Sequence, residues 1–195
     1  MRECKISRTT KETDIKLSLE LDGTGTSEIK TGCGFLDHML TLFASHGKFN
    51  LNIFCEGDTY VDYHHTVEDV GICLGQAFLK ALGDKKGINR YGNFILPMDE
   101  ALILTAIDFS GRSYLNWDMN INSQKVGDFD VELAQEFWLG FSRNSQSTIH
   151  FKQLAGANSH HILEGAFKSI ARSIRQAVKI DVDFKNEIPS TKGVL

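Results

Sequence analysis

The sequence has no long apolar stretch and no excess of basic residues. No run approaches the ~18 apolar residues of a membrane-spanning helix, and residues 1–16 lack the apolar core of a signal peptide. Lysine and arginine number 21 against 25 acidic residues, and they form no basic stripe. Nucleic-acid-binding proteins usually carry such a stripe, because phosphate neutralisation supplies most of their affinity. We therefore predict a cytoplasmic protein that binds neither nucleic acid nor a membrane.

Proline is scarce, and the cysteines are widely spaced. The chain has 2 prolines, 17 glycines and 42% hydrophobic residues in 195 positions, which is typical of a turn-rich globular protein. The four cysteines, none in a CxxC pair, are Cys4, Cys33, Cys55 and Cys73. In a reducing compartment we expect all four to be free, buried thiols.

A short motif occurs twice, once in each half of the chain. Residues 62–68 (DYHHTVE) and 158–164 (NSHHILE) both contain His-His-x-x-Glu, and the two copies lie 96 residues apart. This period is too long for a solenoid repeat. It indicates a duplicated half-domain.

The hydrophobic patterns around the two motifs follow the same order. Alternating or short apolar runs predict strands at residues 3–10, 13–22, 51–54, 94–96, 102–107, 113–117 and 148–151. Helical spacing predicts helices at residues 34–45 and 131–141, a long helix that follows Asp62 and extends to residue 82, and a final helix capped by Asn158 or Ser159 that extends to residue 178. Each half is interpreted as β-β-β-α-β-α, giving an α+β fold in which each small sheet has its helices on one face. The expected divisions are 1–88, 89–182 and a C-terminal tail of 183–195.

Each motif can hold a metal ion on one face of a helix. Residues four apart lie one turn apart, so His64 with Glu68, and His160 with Glu164, can each chelate an ion. The second histidine of each doublet, His65 or His161, points about 100° away. We expect it to reach a different ion.

Alignment of the two halves supplies two further ligands. Glu136 falls opposite His38, and both are metal-binding residue types. The predicted ligands of one ion are His64, Glu68, Glu136 and His161. Those of the other ion are His160, Glu164, His38 and His65. Imidazole with carboxylate suits Mn, Fe, Co, Ni or Zn. The pattern lacks the cysteines of a structural zinc site and is not HExxH, which argues against a metalloprotease.

Two histidines lie outside this set. His150 is predicted mid-strand without a counterpart in the first half, and we interpret it as structural. His46 ends the first predicted helix near Gly47, where it could stabilise the helix C-terminus or contact substrate.

Several longer segments resemble the imidazoleglycerol-phosphate dehydratase family of histidine biosynthesis. They are residues 34–40 (GFLDHML), 64–71 (HHTVEDVG), 160–164 (HHILE) and 189–195 (PSTKGVL), and the resemblance extends over essentially the whole chain. It implies a duplicated α+β fold of the ribosomal protein S5 domain 2-like type. It also implies two Mn²⁺ ions per active site and an assembly of 24 identical subunits built from trimers. The family also uses histidine at the position of Glu136.

The implied reaction is a dehydration of imidazole-glycerol phosphate to imidazole-acetol phosphate. The hydrogen to be lost has no neighbouring carbonyl, so the imidazole ring must accept the electrons. A metal on a ring nitrogen would stabilise imidazolate. Loss of hydroxide would then give a diazafulvene-like intermediate.

The resemblance also implies roles for individual residues. Glu12 matches a substrate-contacting glutamate of the family, and we expect it to transfer a proton. His65 and His161 are counted with it as catalytic. The residues that match phosphate-binding positions are Arg90, Arg112, Lys168, Ser190 and Lys192. Arginine suits phosphate oxygens because its guanidinium donates two parallel hydrogen bonds.

Two other functions use the same residues. A dinuclear metallohydrolase acting on a phosphorylated small molecule would activate water with the same ligands. A metal-binding or storage protein would use the ions only to hold an oligomer together. Loss of Glu12 would leave the storage protein unaffected.

Overall fold

The two halves of the chain form four-stranded sheets with the same strand order. The structure is a computed structural model that describes residues 2–195. The elements of the first half are β1 (Glu3–Thr9), β2 (Thr13–Glu20), β3 (Ser27–Lys30), α1 (Gly34–Gly47), β4 (Asn50–Gly57) and α2 (His64–Leu82). Its sheet has the order β1-β2-β4-β3, and only the β3–β4 pair is parallel.

The second half repeats this arrangement with one insertion. Its elements are β5 (Tyr91–Met98), β6 (Ala101–Asp108), β7 (Tyr114–Asp118), β8 (Lys125–Val126), β9 (Phe129–Asp130), α3 (Leu133–Ser145), β10 (Thr148–Ala155) and α4 (Ser159–Val178). The sheet order is β5-β6-β10-β7, and only the β7–β10 pair is parallel. The antiparallel β8–β9 hairpin is inserted before α3.

The helices of the two halves pack across the centre of the molecule. α2 contacts α3, and α1 contacts α4, so each helix pair joins one half to the other. The inward face of each sheet is apolar because its residues alternate, as Ile15, Leu17 and Leu19 do on β2. One continuous core results, and the counterparts α1 and α3 each pair with the motif-bearing helix of the other half.

The duplicated α+β fold is confirmed, with corrections at particular residues. The second strand ends at Glu20 rather than at residue 22, and the hydrophobic pattern located neither β3 nor the β8–β9 hairpin. All four cysteines are free, but Cys4 is only partly buried, because it lies on the edge strand β1. None of the helices in residues 2–195 is long and apolar enough to cross a membrane. The divisions 1–88, 89–182 and 183–195 stay predictions.

Candidate active site

Both histidine doublets lie in the first turn of a long helix. On α4 the Asn158 side chain accepts hydrogen bonds from the backbone N–H groups of His160 and His161, at 2.9 and 3.3 Å. On α2 the Asp62 side chain accepts one from the N–H of His64 at 2.7 Å. Asparagine and aspartate satisfy N–H groups that have no partner at a helix start. The doublets are therefore fixed in corresponding places of the two halves.

His38, His160 and Glu164 form a candidate metal site between α1 and α4. Their potential ligand atoms all lie within 4.8 Å of one another. Glu164 Oε2 lies 3.1 Å from His160 Nε2 and 3.4 Å from His38 Nε2. Glu164 is buried, whereas both histidines are partly open to solvent. The predicted pairing of His160 with Glu164 and His38 is thus assembled within one chain.

The carboxyl group of Glu164 is held in its charged form. Burial raises its pKa, but hydrogen bonds from Lys168 and His160 outweigh this effect and hold the pKa below its usual value. Lys168 Nζ lies 2.5 Å from Glu164 Oε1. An ionised carboxylate is the form that binds a metal.

The corresponding residues of the first half lie on α2 and α3. His64 Nε2 is 3.9 Å from Glu68 Oε2. Glu136 is in the first turn of α3, the helix that packs against α2, so it occupies the place that His38 has on α1. Among residues 2–195, the only group of three potential ligands within 4.8 Å of one another is that of His38, His160 and Glu164, so Glu136 is not brought into such a group with His64 and Glu68.

His65 and His161 face carboxylates of nearby turns instead of the clusters on their own helices. His65 Nδ1 lies 3.0 Å from Asp58 Oδ2, and its Nε2 lies 3.8 Å from Glu12 Oε1. His161 Nδ1 lies 2.7 Å from Glu100 Oε2. The hydrogen bonds with Asp58 and Glu100 raise the pKa values of the two imidazoles. Within the described chain, neither histidine joins the metal-site group around Glu164.

The turn that carries Glu12 is tied to the motif helix. Thr13 Oγ1 donates to Asp69 Oδ2 at 2.5 Å, and Arg8 Nη1 lies 2.6 Å from the same oxygen. Thr10 Oγ1 accepts the N–H groups of Glu12 and Thr13. Because Asp69 is buried on α2, these contacts hold the half-exposed Glu12 side chain beside His65.

Four of the five predicted phosphate residues lie near the C-terminal tail. Arg90 binds Asp108 through Nε and Nη2, and its Nη1 donates to Pro189 O at 2.9 Å. These three bonds leave one N–H on each Nη atom. Ser190 and Lys192 follow in the tail, where Ser190 Oγ accepts the N–H of Lys192 at 3.2 Å. The end of the tail returns to Gly111, next to the exposed Arg112.

Lys168 lies apart from these four residues. The N–H of Arg90 donates to Ala177 O, nine residues beyond Lys168 on α4. At 1.5 Å per residue this separates them by roughly 14 Å, and it separates Arg90 from Glu164 by roughly 20 Å. One chain therefore brings Lys168 to the candidate metal site and the other four residues to the tail.

The remaining two histidines are His46 on α1 and His150 on β10. His46 is in the last turn of α1, where burial and then the charges of Lys168 and Arg172 lower its pKa. His150 is exposed on β10 with its ring 5.6 Å from the Tyr114 ring. Neither position contradicts the interpretation given from the sequence.

The sequence profile of the imidazoleglycerol-phosphate dehydratase family matches residues 31–174 of the chain. The chain belongs to this family. Membership confirms the resemblance and the prediction of a hydro-lyase-type enzyme, and the matched region contains every predicted metal ligand.

Curated relatives and solved structures agree over the full length. The imidazoleglycerol-phosphate dehydratase of Oceanobacillus iheyensis is 56% identical over 195 residues, which cover 100% of this chain and 100% of that protein. The enzyme of Caldicellulosiruptor bescii is 54% identical over 194 residues, which cover 100% of this chain and 98% of that protein. The crystal structure of the Staphylococcus aureus enzyme superposes with a TM-score of 0.84 at 39% identity, covering 92% of this chain and 99% of that one. The Pyrococcus furiosus enzyme, solved in complex with (S)-C348, gives 0.85 at 42% identity, covering 97% and 100%.

Sequence reasoning did not identify three residues of this region: Asp58, Glu100 and Asp69. Asp58 and Glu100 belong to turns outside the helices of the histidines that they contact, 7 and 61 residues away in the chain. The i, i+4 rule applies within one helix and cannot detect such contacts. Asp69 directly follows the first motif, but the residues that bind its carboxylate, Thr13 and Arg8, lie on β2 and β1.

Proposed function

We propose that this protein dehydrates D-erythro-imidazole-glycerol phosphate to imidazole-acetol phosphate in L-histidine biosynthesis. The observation that carries the proposal is the His38–His160–Glu164 cluster with its counterpart His64–Glu68 on a chain of this family. Two sites of like composition suit a substrate whose imidazole ring has two nitrogen atoms.

The residues fit a pair of Mn²⁺ ions, one per cluster. The grouped residues His38, His160 and Glu164 would hold one ion. The pair His64 and Glu68 would hold the other, with Glu136 from the neighbouring helix α3. Each set combines imidazole with carboxylate, the donors that suit Mn²⁺ and similar metals, and each is one ligand short of the four predicted. When bound, the ions supply Lewis-acid stabilisation of negative charge on the substrate's ring.

Glu12 is proposed to transfer the proton. Its carboxylate is half exposed, lies 3.8 Å from His65 Nε2 and is held by a turn anchored to α2. Water would leave as the ring N–H proton and the hydroxide of the carbon attached to the ring, after which a carboxylate in this place can take the proton from the next carbon and return it to the ring nitrogen, giving the enol that becomes the ketone. The ring would pass through the diazafulvene-like intermediate when hydroxide leaves.

A complete active site would require more than one chain. Roughly 20 Å of α4 separates Glu164 from Arg90, whereas the substrate has only three carbon atoms between its ring and its phosphate ester. The tail cluster of one chain and the metal cluster of the same chain are too far apart for one substrate molecule. His65 and His161 also lie outside the His38–His160–Glu164 cluster of their own chain. We propose that neighbouring copies complete the sites, in an assembly of 24 subunits built from trimers.

The phosphate would be bound by Arg112, Ser190, Lys192 and the free N–H groups of Arg90, with Lys168 from another copy. Arg90 also holds the tail in place through Pro189. Charge-assisted hydrogen bonds of this kind contribute about 1.5–3 kcal/mol each.

Product analysis tests the proposed reaction. The purified protein is incubated with Mn²⁺ and imidazole-glycerol phosphate, and the ketone product and inorganic phosphate are measured together. The proposal predicts one ketone per substrate consumed and no phosphate release. Release of inorganic phosphate would instead support the dinuclear metallohydrolase.

A further inference from the structure

A carboxylate contacts the same nitrogen of the second doublet histidine in both halves. Asp58 lies 3.0 and 3.2 Å from His65 Nδ1 through its two oxygens. Glu100 Oε2 lies 2.7 Å from His161 Nδ1. The nearest carboxylates to the two Nε2 atoms, Glu12 and Asp99, are beyond hydrogen-bond reach at 3.8 and 3.7 Å. Both imidazoles are thus bound at Nδ1 and uncommitted at Nε2.

The two carboxylates do not occupy equivalent positions in the duplicated halves. Asp58 follows β4, whereas Glu100 precedes β6. The equivalent of Glu100, the residue before the second strand of the first half, is Glu12, which lies near Nε2 and not Nδ1. A copied residue therefore does not explain the repeated contact. The same geometry is reached from two different turns, which indicates a requirement common to His65 and His161.

Backbone hydrogen bonds hold the Glu100 carboxylate and the turn that carries Asp58. Glu100 Oε1 accepts N–H groups from Asn158 and Ala157 at 2.8 and 3.3 Å, at the start of the helix that carries His161. The N–H of Asp58 donates to Glu12 O at 3.0 Å, and its carbonyl accepts the N–H of Val61. Each carboxylate therefore has a fixed position from which it can orient a ring.

We infer that Asp58 and Glu100 are positioning residues that hold the Nδ1–H of His65 and His161 and thereby present each Nε2 to a metal ion. Histidines that bind metals usually donate their other N–H to a carboxylate, which fixes the tautomer and strengthens the ligand. The inference rests on the proposed dinuclear site, and it assigns the open fourth position of each cluster to an Nε2 atom from another copy.

Mn²⁺ competition with a chelator tests this role in the assembled protein. The variants are Asp58→Asn and Glu100→Gln, which keep the size of the side chain and remove its charge. Each should lower the affinity for one of the two ions by about 10–100-fold. Asp118→Asn, an exposed carboxylate that pairs with Lys152 on the second sheet, is the control and should bind both ions normally. His161→Ala should lose the ion that Glu100→Gln weakens.

The tautomers provide a second readout that is independent of the metal. In metal-free protein with ¹⁵N-labelled histidine at pH 8, two rings should carry the proton on Nδ1, and each variant should remove or weaken one of these signals. Wild-type affinity and unchanged tautomers in both variants, together with a weakened His161→Ala, would overturn the positioning role alone. Failure of the wild type to bind Mn²⁺ would overturn the dinuclear site, and the role with it.

Discussion

At the scale of single residues, the candidate metal ligands differ from Glu12, the proposed proton-transfer group, in the contacts that they make. The ligand candidates share partners, as His38 and His160 do at Glu164, whereas Glu12 lies beside a histidine without a hydrogen bond to it. A side chain that holds no ion can be changed without loss of metal. Ligand and catalyst should therefore respond differently to substitution.

Glu12→Gln should lower turnover by about two to four orders of magnitude, because the amide keeps the shape but cannot accept the proton. Metal content and particle mass should not change. The measurements are steady-state kinetics, metal analysis and light scattering. Glu28→Gln, which changes an exposed carboxylate that pairs only with Lys30, should keep full activity. Near-normal turnover of Glu12→Gln would exclude the proton-transfer role.

His46 should make metal-free protein less stable in mild acid. Its folded-state pKa is lowered by burial and by Lys168 and Arg172, so below the unfolded value of about 6.5 the unfolded chain takes up a proton first. The stability is fully present above that value and falls as the pH drops towards the folded pKa.

His46→Gln removes this titration, so it should reduce the loss of unfolding free energy between pH 7.5 and 5.5. The difference cannot exceed about 1.4 kcal/mol per pH unit, the limit for one proton. Urea denaturation of chelator-treated protein at the two pH values measures it. His150→Gln, at an exposed position on β10, should leave the loss unchanged. Equal losses in wild type and His46→Gln would contradict the assignment.

At the scale of the elements, periodicity predicted what lies within one helix or strand. The i, i+4 spacing predicted that His160 and Glu164 share a helix face, and their side chains lie 3.1 Å apart. Alignment of the halves matched Glu136 to His38, which lie on helices that occupy equivalent places. The strand β3 was not predicted because its four residues alternate partly exposed with exposed side chains, and only Ile29 is apolar. Asp58 and Glu100 escaped it because their contacts depend on how turns fold against helices.

The close approach of α2 to α3 depends on two glycines. A Cβ at Gly71 would lie 2.4 Å from Phe137 O, and one at Gly75 would lie 2.5 Å from Phe141 O. Gly71→Ala should therefore force the helices apart and cost about 1–3 kcal/mol. It should also weaken Mn²⁺ binding, since the shift separates Glu136 from His64 and Glu68.

Thermal unfolding and Mn²⁺ titration measure these effects. Gly34→Ala is the matched control, because a Cβ there would have no neighbour within 4 Å, and alanine favours a helix. Its melting temperature should be equal or higher. A Gly71→Ala protein as stable as wild type would mean that the two helices can separate without cost.

At the scale of the whole molecule, the candidate metal site and the tail residues lie at distant places of one chain. The His38–His160–Glu164 group joins helices from opposite halves, and Arg90, which holds the tail, meets α4 roughly 20 Å from Glu164. The spacing of residues in the sequence indicated that His65 and His161 point away from the i, i+4 pairs, but it could not show what they contact. Only the packed structure shows that Arg90 meets α4 at Ala177, roughly 20 Å along the helix from Glu164.

If metal ions join neighbouring chains, as proposed, particle mass must depend on the metal. Light scattering at neutral pH is recorded before metal removal, after removal verified by metal analysis, and after Mn²⁺ is returned. The large particle should fall apart into smaller units, of trimer size, and Mn²⁺ should restore it. A mass that stays unchanged after complete metal removal would contradict it.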